Sequence, residues 1–529
     1  MSTVLSPAAD VAAFAAEPAH SGRRLVTVPV APSSLAEMVE QLTRLPGGAF
    51  ADLFGVDERD GDGNFKLHVI WALDRTASWL DLEVSIAAED ACYPALTPTL
   101  PVAGWYEREL RDELGIEPEG HPVACRLRRP ASWPQGQYLL RGDLAWNTPV
   151  PTAEQVEDDE LPLLPEGPEG VVDYPLGPVR SGVVESGHYT IRTVGEEIVD
   201  LRLQLFYKHR AVEKRAEGLA FVHLPLVAER ISGTSAFAHS LALCQALEMA
   251  ASCEVPARAR YLRTLFAELE RLYNHLGYQA DLCQATGLVV GQAQFEILKE
   301  HLLRLNARLA GHRYLFGLNR PGGVSRDLDA SSLALVGEAL HDLEGDTERL
   351  GAMLLASSSH VDRLEGTGVL RPEDAAAFGA VGPIGRASGI DRDVRRDHPY
   401  AAYDALDFAV PVLREGDAFA RFRVRTAEVK ESIRLAHQVI DSMPEGPVQV
   451  EVTPAAAGAT GFGWAESPRG ESLHWVRLGP DGRATRYRVR PASFANWQAF
   501  PLAVPGHNIL TDFPVIEQSF GLSFAGADR

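Results

Sequence analysis

Between residues 149 and 170 the chain turns acidic and proline-rich, with Glu157-Asp158-Asp159-Glu160 and three prolines between Leu161 and Pro168. Such a stretch cannot bury enough apolar surface to offset the entropy lost on ordering, so it reads as an extended linker. It obliges the chain to fold as two bodies, and the sequence on its two sides has different periods. Before it, Leu25 to Val30 and Phe65 to Leu73 alternate as half-buried strands do, with Asp60-Gly61-Asp62-Gly63-Asn64 as the turn. This predicts a small α+β domain over 23–148 that closes with an amphipathic helix near Trp105 to Ile116.

After the linker, over 173–529, short strands around Tyr189–Arg192 and Ile198–Leu201 give way to helical spacing. Leu262, Leu265, Leu269, Leu272 and Leu276 share one helix face within Arg258 to Cys283. Phe295 to Leu315, Leu333 to Val361 and Phe422 to Met443 repeat the pattern. Four such helices predict a mainly α-helical bundle with a small antiparallel sheet attached. Residues 1–22 are expected to be a disordered tail, and 149–172 the acidic linker.

The formal charge of -22 argues against a nucleic-acid partner and against simple adhesion to anionic lipid. No apolar run approaches the roughly 20 residues that span a bilayer. The N-terminal segment has Asp10 and Glu17 where a secretory signal would be basic and then apolar, which makes a cytoplasmic location the default. Cys92, Cys125, Cys244, Cys253 and Cys283 form no C-x-x-C pair for zinc, an iron–sulfur cluster or redox chemistry. Nucleotide-binding glycine loops and hydrolase motifs are also absent from any suitable context.

Glu107 to Pro122 reads E-R-E-L-R-D-E-L-G-I-E-P-E-G-H-P. This resembles the end of the 30-kilodalton subunit of respiratory complex I, and the likeness implies docking rather than catalysis. The second body carries Phe206 to Lys214, Arg320-Pro321-Gly322-Gly323-Val324, Gly382-Pro383-Ile384-Gly385-Arg386-Ala387-Ser388-Gly389 and Tyr400 to Val410. It resembles the 49-kilodalton subunit of complex I and the large subunit of group 4 [NiFe] hydrogenases such as formate hydrogenlyase. Fusion of the two domains in one chain is similar to the formate-hydrogenlyase branch.

In those hydrogenases four thiolates hold nickel, two of them bridging to iron, because soft anionic sulfur suits that pair. The segment R-I-S-G-T-S-A-F-A-H-S puts Ser232 and Ser235 on the first ligand pair. The segment S-F-G-L-S-F-A-G-A-D-R puts Ser523 and Gly526 on the second. Serine is a neutral, hard donor and glycine offers none, so no metal is expected at these positions. Complex I relatives place a quinone headgroup in the vacated cavity, held by histidines and a tyrosine. Here the matching segment Gly177 to Val184 has Arg180 and Val183 or Val184 in place of histidines, and no tyrosine falls between Leu219 and Ser240. The resemblance to a quinone site is therefore incomplete, with Arg180 the residue left to contact a ligand.

The resemblance also implies roles for four other residues. Glu213, in Arg210-Ala211-Val212-Glu213, matches the glutamate that passes protons from the metal site; it is either such a relay or a helix ion-pair partner. Arg386 either points a permanent cation into the cavity or pairs with Asp391 or Asp393. His188 is either a cavity residue or a structural strand histidine. His239 lies where the family's histidine reaches toward an iron–sulfur cluster of the partner small subunit, or is a core histidine satisfied locally. The expectation is a subunit of a membrane-attached oxidoreductase that binds no cofactor itself. Its implied partners are an iron–sulfur small subunit, a ferredoxin-like iron–sulfur subunit and integral membrane subunits that move protons or ions. It would sit on the cytoplasmic face of the membrane through those partners. A catalytically silent scaffold and a quinone reductase subunit are the alternatives.

Overall fold

The computed structural model describes residues 24–152, 169–180, 185–453 and 456–529. The tail expected over 1–22, most of the linker, and Ser181 to Val184 of the quinone-like segment lie outside the described residues. The contacts divide the chain into two units. The first runs through residue 167 and includes Glu213–Glu217 and Ala377–Gly379, and the second holds the rest.

In the N-terminal unit, strands β1 (Arg24–Val30), β2 (Gly48–Glu58), β3 (Asn64–Leu73) and β4 (Ser78–Ala87) form one sheet in the order β1-β4-β3-β2. β1 is parallel to β4 and the other pairs are antiparallel, with the β2–β3 hairpin closing over the expected glycine-rich turn. Helix α1 (Leu35–Thr43) turns Leu35, Met38, Val39 and Leu42 inward, the three- and four-residue spacing of one face. Helix α2 (Gly104–Leu114) ends at Gly115, whose left-handed φ of 73° lets its N–H close on Arg111 O.

The charges of α2 are not a solvated face. Glu107 is buried and accepts hydrogen bonds from the Tyr93 hydroxyl and the Leu96 and Thr97 N–H groups. Asp112 does the same for Leu127 and Arg128. The motif's carboxylates thus hold loop backbone that would otherwise be buried unsatisfied.

The second unit opens with an antiparallel sheet of β5 (Val171–Leu176), β6 (His188–Val194) and β7 (Glu197–Gln204). β5 therefore takes in the last two residues of the expected linker. The four long helices expected from periodicity are α4 (Ala257–Ala285), α5 (Val289–Ala310), α6 (Ala330–Ala356) and α7 (Ala418–Asp441).

Sequence reading did not resolve α3 (Ala236–Ala250) or the meander β8 (Thr460–Ser467), β9 (Gly470–Leu478) and β10 (Ala484–Arg490). Every residue of α3 from Ala236 to Glu248 is buried, so the helix has no polar face to betray its period. It lies on β8 at backbone contact. A Cβ at Gly461 would run into Ala246 O, and one at Gly463 into Ala242 O. Alternation along the strand puts both glycines on the helix-facing side.

Candidate functional site

The two segments that carry the lost ligand positions meet in space although they lie 291 residues apart. Ser232 Oγ is 3.3 Å from Ser523 Oγ and 3.4 Å from Thr234 Oγ1. Ser523 caps the terminal helix Phe524–Asp528 by accepting the Gly526 N–H at 2.9 Å. Arg210 holds the segments together, donating to Ile231 O at 2.9 Å and to Ala525 O at 2.8 Å. The Asp528 carboxylate accepts the Phe206 and Lys208 N–H groups, which pins the chain end.

Ser235 precedes α3 but its hydroxyl makes no capping bond. Glu270 of α4 caps that helix instead, accepting from Phe237 N at 2.8 Å and Ala238 N at 2.9 Å. Burial pushes the Glu270 carboxyl up to about 8, against the pull of these two N–H groups, Arg271 and Arg469. With the cap supplied from another helix, Ser235 Oγ faces Arg469 at 3.4 Å.

Arg469 sits at the two-residue tip of the β8–β9 hairpin. The turn is fixed by the Ser467 hydroxyl donating to Gly470 O, and by Arg271 donating to the Glu466 and Ser467 carbonyls. Its guanidinium donates to Thr234 Oγ1 at 2.9 Å, Asn274 Oδ1 at 3.3 Å and Gly521 O at 2.8 Å. Burial, then Arg425, lowers it to about 10, so it stays a cation at neutral pH.

Beside the serine cluster lies a cavity of about 250 Å³. Tyr273, Asn274, Gly277, Tyr278 and Asp281 supply one wall, at the three- and four-residue spacing of a single α4 face. Arg469, Lys299, Tyr314, Glu517, Leu522 and Phe524 complete it. The expected shortage of tyrosines near Leu219 to Ser240 is met from elsewhere, since the cavity takes Tyr273 and Tyr278 from α4 and Tyr314 from the loop after α5.

The residues singled out by sequence fall in different places. Arg180 clamps Glu517 through two hydrogen bonds of 3.0 and 2.7 Å, and the Tyr189 hydroxyl donates to the same carboxylate, so Arg180 is not itself a wall of the cavity but stands behind Glu517 and over the ring of Phe524. His188 begins β6, half-buried, with Nε2 3.3 Å from the Thr190 hydroxyl and, among the described residues, no partner at Nδ1. The preceding Gly187 packs on Phe524, which lines the cavity.

Arg386 does not line this cavity. It is fully buried, bonded to Glu428 at 2.7 Å and Glu466 at 2.9 Å, and 3.3 Å from Asp393. The space at its side is about 10 Å³, room for about one water. The ion-pair reading with Asp393 is thus the one the geometry matches, because four arginines and several carboxylates neutralise one another there. Glu268 belongs to the same network and accepts from Arg271, Arg395, Tyr403 and Ser432.

Glu213 groups with the N-terminal unit and is not a wall of the cavity. Its charge acts on Glu113, which burial first, then Glu109 and Glu213, push up to about 7 against Arg128. His239 is buried in α3, with Nδ1 3.1 Å from His474 Nε2, and His474 Nδ1 is 2.8 Å from the Tyr487 hydroxyl. Burial, then Arg469 and Arg210, lowers His239 to about 3, so it is neutral at pH 7. The sequence reading missed Arg469 and Glu270. The available signal for Arg469 was Ser467-Pro468-Arg469-Gly470, a turn between two apolar alternating runs.

Nickel and iron in a hydrogenase-like site need anionic sulfur, and the donors here are the neutral hydroxyls of Ser232, Ser235 and Ser523 with nothing at Gly526. These hydroxyls are already engaged with Thr234, Arg469 and the Gly526 N–H. The residues present do not fit a nickel–iron pair.

Comparison with known proteins gives a consistent set of likenesses. The family described as respiratory-chain NADH dehydrogenase, 30 Kd subunit, matches residues 28–149. The 49 Kd subunit family matches residues 294–460 and 453–529. Formate hydrogenlyase subunit 5 of Escherichia coli is 34% identical over 508 residues, covering 95% of this chain and 89% of that protein. Hydrogenase-4 component G of Escherichia coli is 32% identical over 506 residues, covering 95% and 88%. A chain in the structure of the membrane-bound sulfane sulfur reductase, an archaeal respiratory membrane complex, superposes with a TM-score of 0.64 at 27% identity. That match covers 68% of this chain and 99% of that one.

Proposed function

Because the chain belongs to the family that joins complex I 30- and 49-kilodalton-type domains in one polypeptide, with formate hydrogenlyase subunit 5 among its members, we propose that it is the large subunit of the peripheral arm of a membrane-attached oxidoreductase that works without a nickel–iron centre. In this reading it receives electrons from a partner iron–sulfur small subunit, fed in turn by a ferredoxin-like subunit. Integral membrane subunits below it couple that transfer to proton or ion movement. In the same reading it sits on the cytoplasmic face through these partners. Among the described residues no helix is long and apolar enough to cross a membrane.

The observation that carries the reading is the open cavity beside the converged ligand positions, with Arg469, Asn274 and tyrosines in its walls. A silent scaffold needs only its docking surfaces, and its disused cavity would be expected to close over with side chains. Here Arg469, Asn274 and three tyrosines keep about 250 Å³ open beside Ser232 and Ser523. In this reading the residues divide the labour. Arg469 offers fixed positive charge to whatever gains electrons in the cavity, and the tyrosine hydroxyls offer protons. His239, neutral and backed by His474 and Tyr487, is the group we place toward the partner's cluster. Glu113, pushed up to about 7 with the charge of Glu213 among the causes, is a separate proton-holding group in the N-terminal unit.

The test uses the purified complex with its clusters reduced beforehand, following their reoxidation together with ion uptake into vesicles. Filling the cavity with Leu522→Trp is expected to slow both at least about tenfold while the melting curve stays close to that of the native complex. Unchanged rates with the cavity filled would establish the scaffold reading instead.

A further inference from the structure

Most buried arginines of the second unit have a carboxylate at ion-pair distance: Arg263 has Glu248, Arg271 has Glu268, Arg386 has Glu428, and Arg395 has Asp393. Among the described residues, the buried Arg421 and Arg425 and the partly buried Arg469 have none. All three converge on the end of helix α8 (Phe513–Phe520). Arg421 donates to Ser519 Oγ at 2.7 and 2.9 Å, Arg425 to Ser519 O at 3.0 Å and Phe520 O at 2.8 Å, and Arg469 to Gly521 O at 2.8 Å.

A helix C-terminus carries only about half a negative charge, which leaves most of three cations uncompensated. The carboxylates that reach them, Asp417, Glu428, Asp281 and Glu270, act at longer range, and Glu428 is already matched to Arg386 and His275. Buried ions without a counter-charge are strongly unfavourable.

The cavity lies against this cluster and offers unused donors. Arg469 lines it, and its Nη2 has no hydrogen-bond acceptor among the described residues, since its protein contacts all run through Nε and Nη1. Tyr278 also lines it and is 7% exposed, and among the described residues its hydroxyl makes no hydrogen bond of good geometry. Arg425 lies 3.8 Å from the centroid of its ring, a stacking contact on the face beside which the guanidinium engages the hydroxyl only weakly. Lys299 crosses Gly277 of α4 to reach the same space, and Glu517 on the wall is held by Arg180.

We propose that this cavity binds a small oxyanion, a carboxylate or an ion of similar size, held by Arg469, the one of the three arginines that lines it, and serving as the counter-charge the cluster lacks. Oxygen acceptors suit the guanidinium and phenol donors, and charge-assisted bonds of this kind are the strong ones. A neutral headgroup would leave the charge imbalance in place. The inference rests on the reading that this cavity is the working site, and it names the class of ligand the site takes.

The experiment titrates the full-length chain with formate, acetate and nitrate by calorimetry at fixed ionic strength. At least one of them is expected to bind saturably at one site, about tenfold or more weakly in Arg469→Gln. Because that variant can lose its fold, Thr234→Asp provides a second route. It places a carboxylate where the Thr234 hydroxyl now accepts from Arg469 at 2.9 Å. The unliganded variant is expected to melt higher than the native chain and to lose anion binding, whereas the uncharged Thr234→Asn keeps affinity within about threefold. Absence of binding by all three anions to the native chain, or full affinity in Thr234→Asp, overturns the anion site. If the complex still passes electrons in that case, the functional reading survives without it. If anions bind but cavity filling leaves electron transfer unchanged, the anion site stands and the functional reading falls.

Discussion

Glu270 caps a helix to which it does not belong, and this single carboxylate links stability to the site. Its folded value of about 8 lies above the ordinary carboxylate range, so the folded chain holds a proton that the unfolded chain has released. Stability from this group is therefore greatest at low pH and falls as pH rises from about 4.5 to about 8. Glu270→Gln is expected to lose about 1 kcal/mol of capping at pH 5 and to show a shallower decline across that window. Urea unfolding at pH 5, 6.5 and 8 reads this out, and an unchanged slope would mean that Glu270 is ionised throughout. At this scale the sequence was only partly legible. Ser232, Ser235, Ser523 and Gly526 could be placed by their motifs, because chain-local patterns survive. Arg469 could not, because a Pro-Arg-Gly turn acquires its meaning only from Thr234, Asn274 and Gly521, residues distant in sequence. Arg386 and Glu213 failed as cavity residues for the same reason. Their partners Glu428 and Glu466, or Glu113, are set by tertiary packing.

Among the elements, those with two distinct faces were legible and those without were not. The leucine spacing of α4 stands out against Arg263, Glu268, Glu270 and Arg271, charged although buried, and α7 carries polar breaks on its exposed side. α3, buried all round, shows no polar face, and the meander β8–β10 buries Glu466, Glu471, Arg486, Arg488 and Arg490 among its apolar residues, so polarity does not mark its two faces. The junction of α3 with β8 is where the fold is least tolerant, since backbone meets backbone at Gly461 and Gly463. Neither surface can retreat without disturbing Glu270's cap on one side or the Arg469 hairpin on the other. Gly463→Ala is expected to cost about 2–3 kcal/mol, read as a lower urea midpoint, while Gly337→Ala within α6, where a Cβ meets open space and the backbone is helical, costs far less. Equal effects of the two would contradict the close approach.

At the scale of the molecule, two units that sequence composition separated are each organised by buried charge. In the N-terminal unit the carboxylates of α2 satisfy loop backbone. In the second, a neutralised network around Arg386 and Glu268 lies apart from an uncompensated cluster around Arg469. The family likeness extends along nearly the whole chain, with the catalytic metal's ligand positions the conspicuous departure from the hydrogenase pattern. The central claim is that the cavity beside those positions, walled by residues such as Thr234, Leu522 and Phe524 that adjoin them in sequence, works without nickel. Elemental analysis of the purified, active complex tests it most directly, with nickel quantified against protein on the same sample that is assayed for electron transfer and hydrogen evolution. The account predicts nickel at background and no hydrogen, with electron transfer intact. Nickel at about one atom per chain, or hydrogen evolution that tracks the nickel content, would contradict it.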